Sequence, residues 1–352
     1  GVGLRSRELL GLGLGMQTSG RDLVGRHSYG AVARVFTSGG KAEGGASYAF
    51  RGLANPVLSL SLSQRYEDGG QQVAGPDLDT LFVLERDRSV EGAATFYAPK
   101  WRRNLAFTVS AGVDWEYRAL LDDDLVPSSA YELARPTSKL ADLAISANVN
   151  TSRSHSFQMG TTRGVNLFVL GRMRHELSLP DSLADVVGAD RSTGEVIGRF
   201  RAAIPLWEGH RTTHVFALQA SGGVAQGSGA DDLYYRVGGA SGQREPLTGL
   251  ELFGGDFIFY PVRGYDTSSR FGRYAWSASA EYRFPLGLIN RGFGAWPMHV
   301  DRAIGSVFFD AGNAWGPDVW NGRSNPLRVA LASVGAEVTT EILGLYDIRV
   351  RL

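Results

Sequence analysis

The chain has 352 residues, with 36 basic and 36 acidic side chains, 46 glycines and no cysteine. Balanced charge gives no overall attraction to nucleic acid, and the lack of cysteine excludes disulfides and thiolate metal sites. No apolar run approaches the roughly 18–20 residues that a membrane helix needs, which excludes a helical membrane protein. A transmembrane β-barrel remains, because its strands need only about 9–11 residues with one apolar face.

Apolar residues alternate with small or polar ones along most of the chain, and this period of two predicts β-strands. Near the start, Leu10, Leu12 and Leu14 alternate with Gly11 and Gly13, so one face of that strand is suited to lipid and the other is nearly bare. About fifteen strands are predicted, at residues 2–6, 9–19, 27–38, 43–51, 56–66, 89–98, 104–118, 138–150, 157–177, 195–205, 212–225, 274–284, 303–312, 328–340 and 346–352.

The connections between these strands alternate between short and long, which is typical of an outer-membrane barrel. Short breaks fall at residues 22–26, 52–55, 99–103, 151–156 and 207–211, and long loops at 67–87, 119–136, 180–193 and 226–273. Bacterial single-chain barrels have an even number of strands, so we expect sixteen, with the last one missing from this chain. We predict a single all-β domain over residues 1–352, a transmembrane antiparallel barrel, and we expect any periplasmic domain upstream of Gly1 to be absent from the chain.

Four motifs occur in the second half of the chain in a defined order. They are Tyr234–Gly239 (YYRVGG), Val262–Tyr265 (VRGY), Ser279–Tyr282 (SAEY) and Phe308–Gly312 (FFDAG). Together they resemble the sixteen-stranded barrel of the outer-membrane assembly and polypeptide-transport superfamily, also called the bacterial surface antigen family. The segment Asp22–His27 is similar to members whose barrel follows a periplasmic propeller.

The resemblance implies a non-enzymatic protein of the bacterial outer membrane that assists insertion or transport of polypeptides or lipids, with no cofactor. Its partners would be outer-membrane lipids or lipopolysaccharide and client polypeptides or envelope-complex subunits, but not nucleic acid. Two other readings stay open, namely a structural barrel that anchors a larger envelope complex, and a barrel that exports or anchors an enzyme encoded upstream.

The resemblance also implies that the sixth extracellular loop is long and folds into the lumen with Arg263, Gly264 and Tyr265 at its tip. The strand pleat points Glu281 and Asp310 inward from neighbouring strands, where a guanidinium would relieve the repulsion between their carboxylates. We therefore expect these five residues to join the loop to the wall. The alternative is an exposed arginine above two carboxylates that line a wet lumen.

Other candidates point to no metal or cofactor site. The run Asp122–Asp124 lacks the spacing of a calcium loop, and His210 and His214 have no metal-ligand spacing with carboxylates. The glycines at 11, 13 and 15 precede no predicted helix, so they form no dinucleotide motif. About twenty residues between Gly239 and Val262 exceed the compact pattern of the family, which predicts a remodelled loop.

Overall fold

The structure is a computed structural model. It describes residues 2–7, 11–37, 41–74, 79–121, 138–154, 160–178, 192–208, 213–228, 235–239, 260–266, 269–292, 299–316, 330–343 and 347–351. None of these residues forms a helix, so this part of the chain contains no helix long and apolar enough to cross a membrane.

Within the described residues, fifteen strands form one antiparallel meander in which each strand pairs with the next one of the sheet along the chain. They are β1 (Val2–Arg7), β2 (Gly11–Arg21), β3 (His27–Phe36), β4 (Ala42–Phe50), β5 (Val57–Ala74), β6 (Asp79–Lys100), β7 (Arg103–Leu121), β8 (Ser138–Asn150), β9 (Gly164–Ser178), β10 (Ser192–Glu208), β11 (Thr213–Gln226), β14 (Tyr274–Gly292), β15 (His299–Trp315), β16 (Leu331–Leu343) and β17 (Asp347–Arg351). Two short strands, β12 (Tyr235–Val237) and β13 (Arg270–Gly272), pair with each other in the connection between β11 and β14. This all-β architecture, with its longest connection packed against the inner wall, confirms the predicted barrel fold.

The two faces of the sheet differ in the way that the alternation predicts. On β5 the side chains of Leu58, Leu60 and Leu62 are 39–46% exposed, whereas the serines between them are less exposed. On β15, Val307 and Phe309 are exposed while Asp310 is buried on the other face. The exposed faces form an apolar outer surface, and the polar residues face inward, as in a barrel with a lipid-facing exterior.

The predicted long loop at residues 67–87 is wrong. Strand β5 continues to Ala74 and β6 begins at Asp79, so strands occupy most of the predicted loop. Antiparallel main-chain pairing runs through most of this stretch, with one irregularity between Asp68 and Gly70. The sequence there lacks apolar alternation, and pairing of the main chain does not require such alternation where neither face meets a core or lipid.

Other predicted boundaries also differ from the structure. The strand predicted from residue 157 begins instead at Gly164, and Arg153 and Arg163 form an isolated bridge before it. Strand β14 extends past Phe284 to Gly292, with register shifts after Pro285 and after Leu288. Because irregular pairing interrupts the alternation of inward and outward side chains, the sequence pattern does not reveal where this strand ends.

The longest connection of the sheet distinguishes one end of the barrel from the other. One end carries the turns at residues 22–26, 51–56 and 101–102 and the connection at 151–163. The opposite end carries the connection at 227–273, and longer loops mark the extracellular end of outer-membrane barrels. At the turn after β2, the Asp22 carboxylate accepts a 2.8 Å hydrogen bond from the His27 backbone N–H, which lowers the pKa of Asp22.

Candidate functional site: the loop between β11 and β14

The connection from residue 227 to residue 273, here called the inward loop, returns on itself in the lumen. Its strands β12 and β13 pair side by side, and two further backbone bonds tie its arms together. The Gly238 N–H donates to the Tyr260 carbonyl at 3.1 Å, and the Gly239 N–H donates to the Tyr265 carbonyl at 2.9 Å. The described part of the loop is therefore hydrogen-bonded within itself as well as to the wall.

The arms of the inward loop pack on the inner faces of strands β11 and β14–β16. Val237 and Val262 are fully buried, and Tyr260 is nearly so. They belong to a cluster that also contains small and apolar wall residues, namely Ala225, Ala275, Ala314 and Leu331. Wall side chains of this size let the loop approach the sheet closely, and apolar burial then stabilises its position.

Arg263 lies at the tip of the inward loop and binds Asp310 on β15. Its Nε donates to Asp310 Oδ2 at 2.7 Å, its Nη2 donates to Oδ1 at 2.9 Å, and its backbone N–H donates to Oδ2 at 3.1 Å. Gly264 follows with φ of +84°, a conformation that L side chains rarely adopt, so glycine permits the turn beside the arginine. The result is a bidentate pair between two buried side chains.

The Nη atoms of Arg263 also bind the two strands beside β15. Nη1 donates to Glu281 Oε2 on β14 at 3.2 Å and to Glu337 Oε2 on β16 at 3.4 Å, and Nη2 donates to Ser279 Oγ at 3.1 Å. Beneath them, the guanidinium carbon lies 3.5 Å from the centre of the Phe308 ring. One side chain thus contacts three consecutive strands of the wall.

Electrostatics keeps the Arg263 site charged. Burial alone would lower the pKa of the Arg263 guanidinium, but the hydrogen bonds and charges of Asp310 and Glu281 outweigh burial and raise this pKa. Arg283 adds a second cation, because its Nε donates to Glu281 Oε1 at 2.7 Å. Three carboxylates and two guanidinium groups therefore lie together at this site.

Of the five residues predicted to join the loop to the wall, the structure brings Arg263, Glu281 and Asp310 into direct contact. Tyr265 is partly exposed, and its hydroxyl donates to the Ala332 carbonyl of β16 at 2.9 Å. Sequence reasoning missed Glu337, Ser279 and Phe308, although the pleat already placed Ser279 and Phe308 on the inner faces of their strands. For Glu337 a signal existed in the alternation of β16, where Val334 and Val338 point outward.

A second polar contact holds the inward loop on the opposite side. The Tyr235 hydroxyl donates to Glu195 Oε2 on β10 at 3.1 Å, and burial together with the charge of Glu195 raises the pKa of this tyrosine. Glu195 Oε1 lies 3.5 Å from Arg172 Nη1, and Arg172 Nε and Arg174 Nε lie 2.9 and 3.3 Å from Asp142 Oδ2. The loop therefore has two anchors, at the β14–β16 wall and at an ionic network on β8–β10.

The other residues considered in the sequence are either outside the described part of the chain or in contacts away from Arg263. The run Asp122–Asp124, His210 and most of the stretch between Gly239 and Val262 lie outside the described residues. His214 Nδ1 lies 2.6 Å from the Tyr282 hydroxyl, and its ring stacks on Trp207. Among the described side chains, no group of three histidine or carboxylate residues is arranged to hold a metal ion.

Comparison with known proteins finds similarity in structure. No family model and no curated protein matches the sequence. CdiB from Escherichia coli is 10% identical with a TM-score of 0.53, covering 97% of this chain and 56% of that one. BamA from Haemophilus ducreyi, in a structure lacking POTRA domains 1–3, is 16% identical with a TM-score of 0.53, covering 99% and 65%. CdiB from Acinetobacter baumannii is 10% identical with a TM-score of 0.54, covering 99% and 55%.

The match covers nearly the whole of this chain, which spans between about half and two thirds of the length of those structures. Because the sequence identities are only 10–16%, the similarity shows a shared fold and nothing beyond it. The chain therefore shares its β-barrel fold with these BamA and CdiB structures.

Proposed function

We propose that this chain is the membrane-embedded barrel domain of an outer-membrane assembly or translocation factor, which assists the insertion or transport of polypeptides without covalent chemistry. The observation that carries the proposal is the buried Arg263, which ties the inward loop to three consecutive strands of a barrel with the BamA and CdiB fold. Its partners would be client polypeptides and the lipids around the barrel.

The geometry favours a brace for the wall. Arg263 contacts Glu281, Asp310 and Glu337 on adjacent strands, so strands β14–β16 cannot separate without breaking charged hydrogen bonds. Removing one partner of a buried ion pair typically costs about 3–5 kcal/mol, because the other charges stay buried without compensation. A braced C-terminal wall would confine any opening of the barrel to other strands, so a client could be admitted without collapse of this side.

A structural anchor is the second candidate, and it is favoured by the same multiplicity of contacts. The inward loop is held both at Arg263 and at Tyr235, which suits a rigid barrel that carries other envelope components. The two candidates differ in one measurable property, since an anchor does not accelerate the folding of another barrel.

The test reconstitutes the complete protein, with any domains encoded upstream, in liposomes and follows the folding of an unfolded client barrel by its heat-modifiable gel mobility. The assembly proposal expects faster client folding than in empty liposomes or in liposomes with an unrelated barrel. Equal rates in all three would overturn the assembly proposal and support the anchor.

The variant Arg263→Ala tests the brace. We expect the barrel to fold, the inward loop to become sensitive to protease, and client folding to slow towards the rate in empty liposomes. Arg263→Lys should give an intermediate result, because an ammonium keeps the charge but lacks the planar fork. Arg270→Ala is the matched control, since the Arg270 guanidinium donates to the neighbouring Ser269 carbonyl. Normal activity and an unchanged protease pattern in Arg263→Ala would refute the brace.

A further inference from the structure

The outer face of strands β5–β8 carries a group of cations directly above its apolar surface. The lipid-facing residues Leu62, Val90 and Val113 form the extracellular border of that surface. The next outward positions along these strands are Gln64, Arg88 and Trp115, and Lys139 follows on β8. Arg86, one outward position further along β6, pairs with Tyr117 on β7. We call Arg86, Arg88 and Lys139 the basic patch.

The cations of the basic patch are held in place by polar and aromatic neighbours. Arg88 Nε donates to Gln64 Oε1 at 2.6 Å, and the Arg86 guanidinium carbon lies 4.9 Å from the centre of the Tyr117 ring. Arg86 Nε is buried without a hydrogen-bond partner among the described residues. The arginines are therefore positioned by their neighbours while donor capacity remains for a ligand.

A groove lies at this point of the wall. Its volume is about 620 Å³, and its lining includes Arg86, Arg88, Trp115 and Tyr117. The apolar side chains of Leu62 and Val90 also line it. Gly44 on β4 pairs with Gln64 and also lines the groove. The groove thus joins cationic and aromatic groups at its upper end to an apolar surface at its lower end.

On strands β4–β8, the described carboxylates lie on the inner face, whereas the basic patch lies on the outer face. The pleat and the pairing turn the described carboxylates of these strands towards the lumen, where Glu43 binds the buried Arg34 and Asp142 binds Arg172 and Arg174. The other three are Asp87, Glu91 and Asp114, which pair with inward-facing residues. Among the described side chains of these strands, none supplies a carboxylate to the outer face beside the basic patch.

We propose that the basic patch binds the phosphate groups of a phosphorylated glycolipid of the lipopolysaccharide type in the outer leaflet. The phosphates would accept from Arg86, Arg88 and Lys139, Trp115 and Tyr117 would lie at the headgroup level, and the acyl chains would run down over Leu62 and Val90. Charge complementarity and the continuity of the groove with the apolar surface favour a lipid over a free anion. The inference rests on the outer-membrane barrel fold and is independent of assembly activity.

The experiment measures lipid binding to the folded barrel in detergent micelles by native mass spectrometry. The probes are diphosphorylated lipid A, the same lipid A with both phosphates removed, and inorganic phosphate as a competitor. Each Lys or Arg near an anionic lipid contributes on the order of 1 kcal/mol, so Arg86→Gln with Arg88→Gln should weaken binding of the diphosphorylated lipid roughly 30-fold. Arg86→Lys with Arg88→Lys should keep most of the affinity.

The matched control removes Lys100 and Arg102, two exposed cations beside Trp101 at the opposite end of the barrel. Lys100→Gln with Arg102→Gln removes the same charge next to an aromatic residue and should leave lipid A affinity unchanged. Heat-modifiable mobility verifies folding of every variant. Equal binding of the dephosphorylated lipid, displacement by millimolar inorganic phosphate, or an equal loss in the control variant would each overturn the proposal.

Discussion

At the residue scale, the arrangement around Arg263 explains why an arginine is suited to this position. Its Nε and Nη2 donate to Asp310, while Nη1 donates to Glu281 on one flanking strand and to Glu337 on the other. A lysine has a single nitrogen and cannot form a planar bidentate pair while contacting both flanking strands. The ring of Phe308 adds a face to which the cation is attracted.

The Tyr235 anchor yields a prediction at the same scale. Tyr235→Phe removes the hydroxyl that donates to Glu195 and leaves one carboxylate oxygen without that bond, at a cost of about 1–3 kcal/mol. We expect faster hydrogen exchange in residues 235–237, with the region around Arg263 unchanged. The measurement is hydrogen exchange with mass spectrometry on the folded barrel. Glu195→Gln keeps an acceptor for the tyrosine and is the control; equal exchange in wild type and Tyr235→Phe would contradict the anchor.

At the element scale, the inward loop depends on bare positions of the wall. Gly312 on β15 faces the loop, and a Cβ placed there would lie 2.8 Å from Val262 Cγ2 and 2.9 Å from the Trp276 carbonyl oxygen. The first atom belongs to the loop and the second to the backbone of β14, so only the loop has freedom to move. The glycine thus sets the depth to which the loop descends.

Gly312→Ala is therefore expected to lift the inward loop while the sheet keeps its pairing. Overpacking of this kind typically costs about 1–3 kcal/mol, and relief by movement of Val262 would lengthen the contacts between Arg263 and Asp310. Limited proteolysis should show a more accessible loop, and urea unfolding should show a modest loss of stability. Gly171→Ala on β9 is the control, because nothing lies within 4 Å of its added Cβ. Indistinguishable proteolysis of the two variants would contradict this role of Gly312.

The elements show what the sequence could reveal and what it could not. Alternation placed Glu281 and Asp310 on inner faces, because a strand in a membrane wall has one face selected for lipid and one for water. The same rule failed for residues 67–87, where the hairpin β5–β6 is paired although its sequence has no apolar period. Contacts such as those of Glu337 with Arg263 depend on register between distant strands, and no local pattern encodes register.

At the scale of the whole molecule, charge is distributed by face as well as by height. Carboxylates and arginines meet across the inner wall, as in the network of Glu195, Arg172 and Asp142, while the outer face stays apolar until the level of the basic patch. Although the net charge is zero, the charged side chains are distributed unevenly between the two faces of the sheet. Apolar burial in lipid and ionic contacts in the lumen stabilise opposite sides of the same sheet.

The outer apolar surface leads to the prediction that a charge at its centre destabilises the barrel. Leu60 is exposed on the outer face of β5 between Leu58 and Leu62, and Leu60→Arg places a cation in hydrocarbon at a cost of about 2–4 kcal/mol near the midplane. We expect a lower unfolding midpoint in urea for the barrel in liposomes. Ser61→Arg is the matched control, because Ser61 faces the lumen and pairs directly with Glu91. An arginine there meets a carboxylate in a wet environment, so its unfolding midpoint should stay near that of wild type; equal losses in both variants would mean that the two faces are not divided between lipid and lumen.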